Sequence, residues 1–133
     1  MPASLDDRSR ELLTAKNFAH VATIGRDGAP HVAVSWVSVD GDDVLLNSSE
    51  GRVWPENLRR DPRVVVTVVN LEDPYEYVAV TGRAEVGIEG ADEHIDLLAM
   101  KYVDEDVYPF RQPGEQRLLV RVRPEKVKLR EGN

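Results

Sequence analysis

The chain of 133 residues has 24 acidic and 17 basic side chains, which gives a formal net charge of −7. This acidic balance disfavours a nucleic-acid partner, because phosphate backbones are bound by clustered lysine and arginine. There is no cysteine, so disulfides, thiolate chemistry and zinc–thiolate sites are excluded. No apolar run approaches the roughly 20 residues of a membrane span, and the polar, acidic start is not that of a secretory signal. We therefore expect one cytoplasmic domain over residues 1–133, with no membrane partner.

The first third of the chain predicts a short helix followed by an antiparallel meander. A capping-box pattern at Ser4 precedes leucines at helical spacing, so residues 5–15 are predicted to form an amphipathic helix. Turn sequences at Gly28 and Gly41 then separate apolar segments, and Asp-Gly between such segments is a strong hairpin signal. The expected strands lie near 18–25, 30–39 and 43–48.

The rest of the chain predicts three more strands and a helix. A run of valines makes residues 63–70 a strand that we expect to be buried on both faces. Apolar residues alternate along 75–88, where Gly82 indicates a bulge or a close backbone approach. Helical spacing predicts an amphipathic helix over 91–103. A polar loop, 104–115, then leads to a last strand within 116–130.

Six antiparallel strands of this length usually close on themselves, because closure removes exposed sheet edges. With two to three flanking helices, the predicted architecture is a mainly β, six-stranded antiparallel barrel. An oligonucleotide-binding barrel has a similar strand count, but the net charge and the aromatic content of only 6% disfavour it.

The stretch SSEGRVWPENLRRDPRV, residues 48–64, places hydroxyls and arginines around a predicted helix start. Ser48 or Ser49 is positioned to cap a helix that begins between Gly51 and Trp54. The free N–H groups of such a turn attract anions, and a neighbouring arginine adds donors. The alternative is that the serines only cap the helix while the arginines face solvent. The residues alone leave both interpretations open.

Other candidate functional residues have more ordinary explanations. The three histidines fall in different elements without metal-ligand spacing, so no metal site is predicted. The acids at 104–106 are expected to form a solvated loop. Trp36 is expected to lie in the core rather than to act as a ligand platform. The arginines that alternate along the last strand, from Arg117 to Arg123, are expected to face solvent.

Short motifs occur along the chain in an order that resembles the flavin/deazaflavin oxidoreductases of the pyridoxamine 5′-phosphate oxidase superfamily. The run NLRRDPRV is fairly specific for this group, and the resemblance covers residues 5 to about 130. It implies a split β-barrel homodimer with two cofactors in clefts between the subunits. The matching residues are Gly28, Pro30, Val32, Trp36-Val37, Asp40 to Asp42, Ser48 to Arg52, Asn57 to Val64 and Gly82 to Glu85.

The resemblance also implies which residues hold the cofactor. Those beside its ring are Val34, Ser35 and Trp36, and those at its phosphate are Ser48, Ser49 and Arg52, with Asn57 matching a helix asparagine. Asn47, Trp54, Arg59 and Arg60 complete the expected site. Arg59 and Arg60 would lie near the carboxylate tail that coenzyme F420 has and FMN lacks. At Trp54 many relatives have a lysine.

The function expected from this resemblance is hydride transfer between the deazaflavin coenzyme F420 and a small organic substrate. The alternatives are an FMN-binding protein of the same superfamily, or a non-catalytic flavin carrier or sensor, which the tryptophan at position 54 favours. Because the hydride chemistry belongs to the cofactor, no catalytic acid or base is predicted. Tyr102, Tyr108 and the loop around Asp104 are candidates for the substrate side of the cleft.

Overall fold

A computed structural model describes residues 2–132, which form three helices and seven strands. The helices are α1 (Asp7–Thr14), α2 (Val53–Arg60) and α3 (Ala91–Val103). The strands are β1 (Ala19–Ile24), β2 (Pro30–Ser35), β3 (Val37–Asp40), β4 (Asp43–Ser49), β5 (Arg63–Val69), β6 (Tyr77–Gly87) and β7 (Arg117–Arg130). All seven strands belong to one sheet in which neighbours are antiparallel, so the predicted mainly β class is confirmed.

The sheet has seven strands rather than six because the strand predicted over 30–39 is broken at Trp36. β2 pairs with β1 and β3 pairs with β4, in the order β2-β1-β5-β6-β7-β4-β3. At the break, the Ser35 hydroxyl donates to the Trp36 carbonyl oxygen at 2.8 Å, which satisfies a backbone acceptor. Since one residue joins the two edge strands, the sheet must curl until its edges nearly meet. The result is the predicted split barrel.

The inward faces of the strands form a core rich in valine. Val21, Val66 and Val80 lie on three neighbouring strands and have no exposed area. Burial of each such side chain contributes roughly 1.5–3 kcal/mol, which stabilises the curled sheet. Within a single chain β5 is buried on its inward face only, whereas burial on both faces was predicted. Its outward side chains, Val65 and Val69 among them, are partly exposed because they lie on the outside of the sheet.

Gly82 lies where β6 and β7 change their register. The shift falls between Thr81 and Gly82, and it marks a bulge that bends the 14-residue strand β7. A side chain at Gly82 would collide with the backbone carbonyl of Arg123 on β7. Both predicted features of this glycine, the bulge and the close backbone approach, are therefore confirmed.

The helices lie close to their predicted positions, although α1 uses a different cap. Asp6 rather than Ser4 is the N-cap, and its carboxylate accepts the N–H of Ser9 at 2.8 Å. Leu12 and Leu13 are buried, as their spacing predicted. α3 has the predicted bounds, and α2 begins within the predicted window. None of the helices in residues 2–132 is both long and apolar enough to cross a membrane.

Candidate functional site

A pocket opens where the break between β2 and β3, the start of α2, the helix α3 and the loop before β7 meet. Its volume is about 310 Å³, within the range of small-molecule sites. Its lining combines aromatic side chains with a few converging polar groups, which is typical of sites that orient a ring-bearing ligand. Seven of the predicted site residues line it: Val34, Ser35, Trp36, Asn47, Ser48, Arg52 and Trp54.

Aromatic rings form one wall of this pocket. Trp36 stacks on Tyr102 with ring centroids 5.1 Å apart and planes inclined by 6°. Tyr108, from the loop before β7, meets the Trp36 ring edge-on at 6.0 Å, and Phe110 follows it at the pocket. Trp36 is half-buried, so it packs on one side and faces the pocket on the other. Trp36 thus packs against a buried cluster, as predicted, and it also lines the pocket.

Tyr102 supports this wall from behind and does not line the pocket. Its hydroxyl donates to the Asn17 carbonyl oxygen and accepts the N–H of Val37 at 3.2 Å. Burial raises the pKa of Tyr102 to about 12, so the hydroxyl stays protonated at neutral pH. Asp104 ends α3 with φ at 64° and is also absent from the lining. Of the residues proposed for the substrate side, Tyr108 is the one at the pocket.

The polar corner of the pocket lies at the start of α2. Ser48 is 3% exposed, and its hydroxyl has no hydrogen-bond partner within residues 2–132. Buried hydroxyls nearly always have a partner, so this one is available to a ligand or a water molecule. Arg52 is the N-cap of α2, and in the described chain no side chain caps the helix. The predicted capping by a serine is wrong, because β4 continues through Ser49 and the Gly51 turn follows.

The chemistry of this corner is that of an anion site. The first N–H groups of α2 lack a side-chain acceptor, and the helix dipole adds partial positive charge there. Arg52 contributes a guanidinium that forms no ion pair with the residues described. Its Nε donates to Ser49 Oγ at 3.2 Å, which orients it. A phosphate or carboxylate would meet these donors and, among the described residues that line the pocket, no carboxylate, which is the arrangement that such groups prefer.

Arg117 is the main site residue that sequence reasoning missed. Alternation along β7 predicts an exposed side chain, but only 4% of Arg117 is exposed. Its Nε donates to Asn47 Oδ1 at 2.9 Å, and its guanidinium forms an ion pair with Glu115. The guanidinium carbon, Cζ, lies 4.9 Å from the centroid of the Tyr108 ring. The prediction fails because Asn47 on β4 and residues Tyr108 and Glu115 of the loop before β7 contact the side chain, and no sequence pattern reveals those contacts.

His94 closes a hydrogen-bond chain behind the pocket. Its Nε2 is 2.9 Å from Ser38 Oγ, and its Nδ1 is 3.0 Å from Asn47 Nδ2. Because Arg117 can only donate, Asn47 presents its oxygen to the arginine and its NH₂ group to His94. The imidazole therefore carries its proton on Nε2. Burial, with a smaller effect of nearby cations including Arg117, lowers the pKa of His94 to about 4.

The remaining predicted site residues lie outside the pocket lining: Ser49, Asn57, Arg59 and Arg60. Asn57 is 1% exposed, and its amide donates to Thr23 Oγ1 at 3.0 Å and accepts from Arg60. Arg59 is on the surface and pairs with Glu50 at 2.6 Å and with Glu56. Arg59 therefore has carboxylate partners within its own chain.

The titratable groups at the site are few. The described residues that line the pocket include neither a carboxylate nor an imidazole; their ionisable members are Arg52, Arg117 and Tyr108. Within residues 2–132 no three histidine, aspartate or glutamate side chains are grouped to hold a metal ion. The pocket is therefore suited to binding and orienting a ligand through donors and aromatic surfaces.

The family comparison agrees with this fold. The family model described as pyridoxamine 5′-phosphate oxidase matches residues 5–131. The chain belongs to the pyridoxamine 5′-phosphate oxidase family. The family resemblance in the sequence motifs is thereby confirmed. Comparison with curated proteins gives no match.

Solved structures similar to this family member include an F420 reductase. It is 25% identical, has a TM-score of 0.80, and the alignment covers 93% of this chain and 98% of that chain. A conserved hypothetical protein from Mycobacterium tuberculosis is 20% identical, with a TM-score of 0.75 and coverage of 98% and 86%. General Stress Protein 26 from Bacillus anthracis is 12% identical, with a TM-score of 0.71 and coverage of 96% and 94%. The last two establish a likeness of fold alone.

Proposed function

We propose that this protein is an oxidoreductase that binds coenzyme F420 in the pocket and transfers hydride between it and a small organic substrate. The proposal depends on one observation above all. Ser48 has a buried hydroxyl without a partner in residues 2–132, and it lies beside Arg52 at the start of α2. Such a corner suits the phosphate of a nucleotide-like cofactor. The similarity in fold to an F420 reductase over 93% of the chain supports this assignment.

The residues present fit the parts of such a cofactor. The phosphate would be held by Ser48, Ser49 and Arg52, and the ring would lie beside Val34, Ser35 and Trp36. Because Trp36 stacks on the buried Tyr102, the surface that it offers to a ring is held in place. When bound, F420 supplies the hydride chemistry itself. The protein supplies binding, orientation and exclusion of water.

Arg117 provides the electrostatic part of this contribution. Asn47 and Glu115 hold its guanidinium at the pocket wall, and Nη2 forms no hydrogen bond within the described residues. A donor that is oriented in advance stabilises negative charge that develops on a bound molecule. Arg117 would therefore orient a carbonyl or carboxylate oxygen of the substrate or of the ring. Asn47 is a positioning residue, because it acts through Arg117.

We also propose that the protein is a homodimer. Val32 and Val34 on the edge strand β2 are 62% and 63% exposed. Val32 lies beside Ala22, which lies beside Val65, so one apolar face crosses three strands. Exposed apolar faces of this kind mark interfaces, and an obligate one buries roughly 2,000 Å² or more. Since Val34 also lines the pocket, the second copy would lie next to the cofactor.

FMN is the second candidate cofactor. Its phosphate would occupy the same corner, and the description of the family as pyridoxamine 5′-phosphate oxidase favours it. A non-catalytic flavin carrier or sensor is a further candidate. It is favoured by Trp54, whose buried indole lines the pocket where many relatives have a lysine.

Absorbance titrations of the purified protein with F420 and with FMN test these assignments. We expect F420 to bind more tightly than FMN at low salt. Reduced F420 should then be oxidised by members of a panel of enones and quinones faster with the protein than without it. Binding without transfer to any acceptor would identify a carrier, and FMN that co-purifies and resists displacement would make FMN the cofactor. Sedimentation that shows only a folded 14.9 kDa species at micromolar concentration would contradict the dimer.

A further inference from the structure

Arg117 and Glu115 form a buried ion pair at the wall of the pocket. The side chain of Arg117 is 5% exposed and that of Glu115 is 11% exposed, and the pair joins Nη1 to Oε1. Arg117 lines the pocket, whereas Glu115 is not among the described residues that line it. A ligand in the pocket therefore meets a guanidinium whose charge is already balanced by a carboxylate of the protein.

The loop before β7 holds the Glu115 carboxylate in place. Its Oε2 accepts the N–H of Gln112 at 2.8 Å, and the N–H of Glu115 donates to the Gln112 carbonyl oxygen at 3.1 Å, which closes a turn. Burial by itself raises the pKa of Glu115, but the hydrogen bonds from the Gln112 N–H and from Arg117 outweigh it, so the pKa is lowered. Glu115 is therefore ionised at neutral pH, and its own loop directs it at Arg117.

One nitrogen of the Arg117 guanidinium is left for a ligand. Nε donates to Asn47 and Nη1 pairs with Glu115, whereas Nη2 forms no hydrogen bond within residues 2–132. Nη2 is also not among the buried atoms that lack a partner in that range, so part of its surface is open. Cζ lies over the Tyr108 ring, 4.9 Å from its centroid. A ligand beside this ring would therefore find one free donor.

We propose that Arg117 and Glu115 together select an uncharged substrate, one that presents a carbonyl oxygen rather than a carboxylate to this wall of the pocket. The proposal names the substrate class of the proposed function and rests on it. A carbonyl oxygen can accept the Nη2 hydrogen bond while the buried ion pair stays intact. A substrate carboxylate would share the guanidinium with Glu115, so two like charges would lie close together away from water, which is unfavourable. Glu115 thus determines specificity through Arg117.

Arg52, the other cation that lines the pocket, differs from Arg117 in this respect. It forms no ion pair with the residues described, and it lies at the start of α2, where the cofactor phosphate would bind. The pocket therefore offers an unpaired arginine to an anionic group and a paired arginine to a neutral oxygen. A test of Arg117 must be made without Arg52, because a free anion would bind there.

Binding of 2-naphthamide and 2-naphthoate to the cofactor-free Arg52→Ala protein tests the selection. The two probes have the same shape, and in this protein Arg117 is the only cation among the described residues that line the pocket. Fluorescence titration should show that the amide binds about tenfold more tightly than the carboxylate. Adding Glu115→Gln should raise the affinity for naphthoate about tenfold and leave that for naphthamide within about threefold. Adding Glu85→Gln instead, which removes an exposed carboxylate that pairs with Arg123, should change neither affinity.

Naphthoate that binds the Arg52→Ala protein as tightly as naphthamide would overturn the proposal, and this comparison leaves the ion pair untouched. Equal effects of Glu115→Gln and Glu85→Gln would also overturn it. The probes need no cofactor, so their binding does not depend on F420. A preference for the amide in a protein whose wild type fails to bind F420 would leave the roles of Arg117 and Glu115 assigned and the proposed function wrong. F420 binding together with equal affinities for the two probes would overturn the selection alone.

Discussion

Arg117 and Asn47 are joined by a hydrogen bond of 2.9 Å from Nε of the arginine to Oδ1 of the asparagine, at the wall of the pocket. This contact determines the orientation of the amide, whose NH₂ group then points to His94. It also directs the guanidinium, whose Nη2 is left without a partner in residues 2–132. One amide thus connects β4, α3 and β7, so the shape of the pocket depends on a buried polar network.

Replacement of Asn47 by leucine should lower the free energy of unfolding by about 3 kcal/mol. The variant leaves the buried Arg117 with a donor that has no acceptor, and it leaves His94 Nδ1 without a donor. Urea unfolding measures the change. The control is Arg123→Ala, whose exposed ion pair with Glu85 should contribute less than about 1 kcal/mol. A loss in Asn47→Leu no larger than that in Arg123→Ala would show that the network contributes no more to stability than an exposed ion pair.

The pKa of His94, about 4 in the folded protein against 6.5 ordinarily, predicts a pH-dependent stability. Between these values the unfolded chain binds a proton that the folded chain does not, so folding is favoured as pH rises. Above about pH 6.5 the titration of His94 no longer changes the free energy of unfolding. This free energy should fall by roughly 3 kcal/mol as the pH drops to 4. In His94→Gln, the free energy of unfolding measured across this range should no longer show this dependence on pH. The lowered pKa values of Glu76 and Asp61, both about 2, act mainly at lower pH.

Local signals in the sequence were sufficient for some elements and not for others. The spacing that predicted α3 is a property of neighbouring residues, so its bounds are correct. The break at Trp36 was not predicted, because apolar residues continue through it. β2 and β3 are distinguished only by their pairing with different strands. The burial of Arg117 was not predicted for the same reason, since it depends on β4 and on the loop before β7. At Ser48 the residue types were compatible with a helix cap or with an anion site, and the structure shows that the cap is not formed.

Tyr102→Phe separates a structural role from a role in substrate binding. The variant removes a hydroxyl that accepts the N–H of Val37 and donates to the Asn17 carbonyl oxygen. We expect a loss of about 1–3 kcal/mol in the free energy of unfolding, because buried backbone groups lose a partner. The ring still stacks on Trp36, so cofactor affinity should stay within about twofold, or roughly 0.4 kcal/mol. A large loss of affinity in a stable variant would instead place the hydroxyl at the ligand.

Gly82→Ala tests the close approach of β6 and β7. The added methyl group would meet the Arg123 carbonyl oxygen, and the two strands would have to separate. We expect a loss of about 1–3 kcal/mol, as for other overpacked positions. Gly87→Ala in the same strand is the matched control, because open space surrounds its added methyl group in the described structure. Similar unfolding curves for the two variants would be inconsistent with the collision.

Arg52→Ala should weaken cofactor binding about ten- to a hundredfold, because it removes a charge-assisted contact to the phosphate worth about 1.5–3 kcal/mol. Ser48→Ala should have a smaller effect, since a neutral hydrogen bond contributes about 0.5–1.5 kcal/mol. Absorbance titrations with F420 measure both, with Arg123→Ala as a control that keeps wild-type affinity. The side chain of Arg52 makes no capping bond to α2, so the free energy of unfolding should change little and the loss can be assigned to the ligand. If Arg52→Ala binds F420 as tightly as the wild type, the arginine is only part of the surface and the phosphate lies elsewhere.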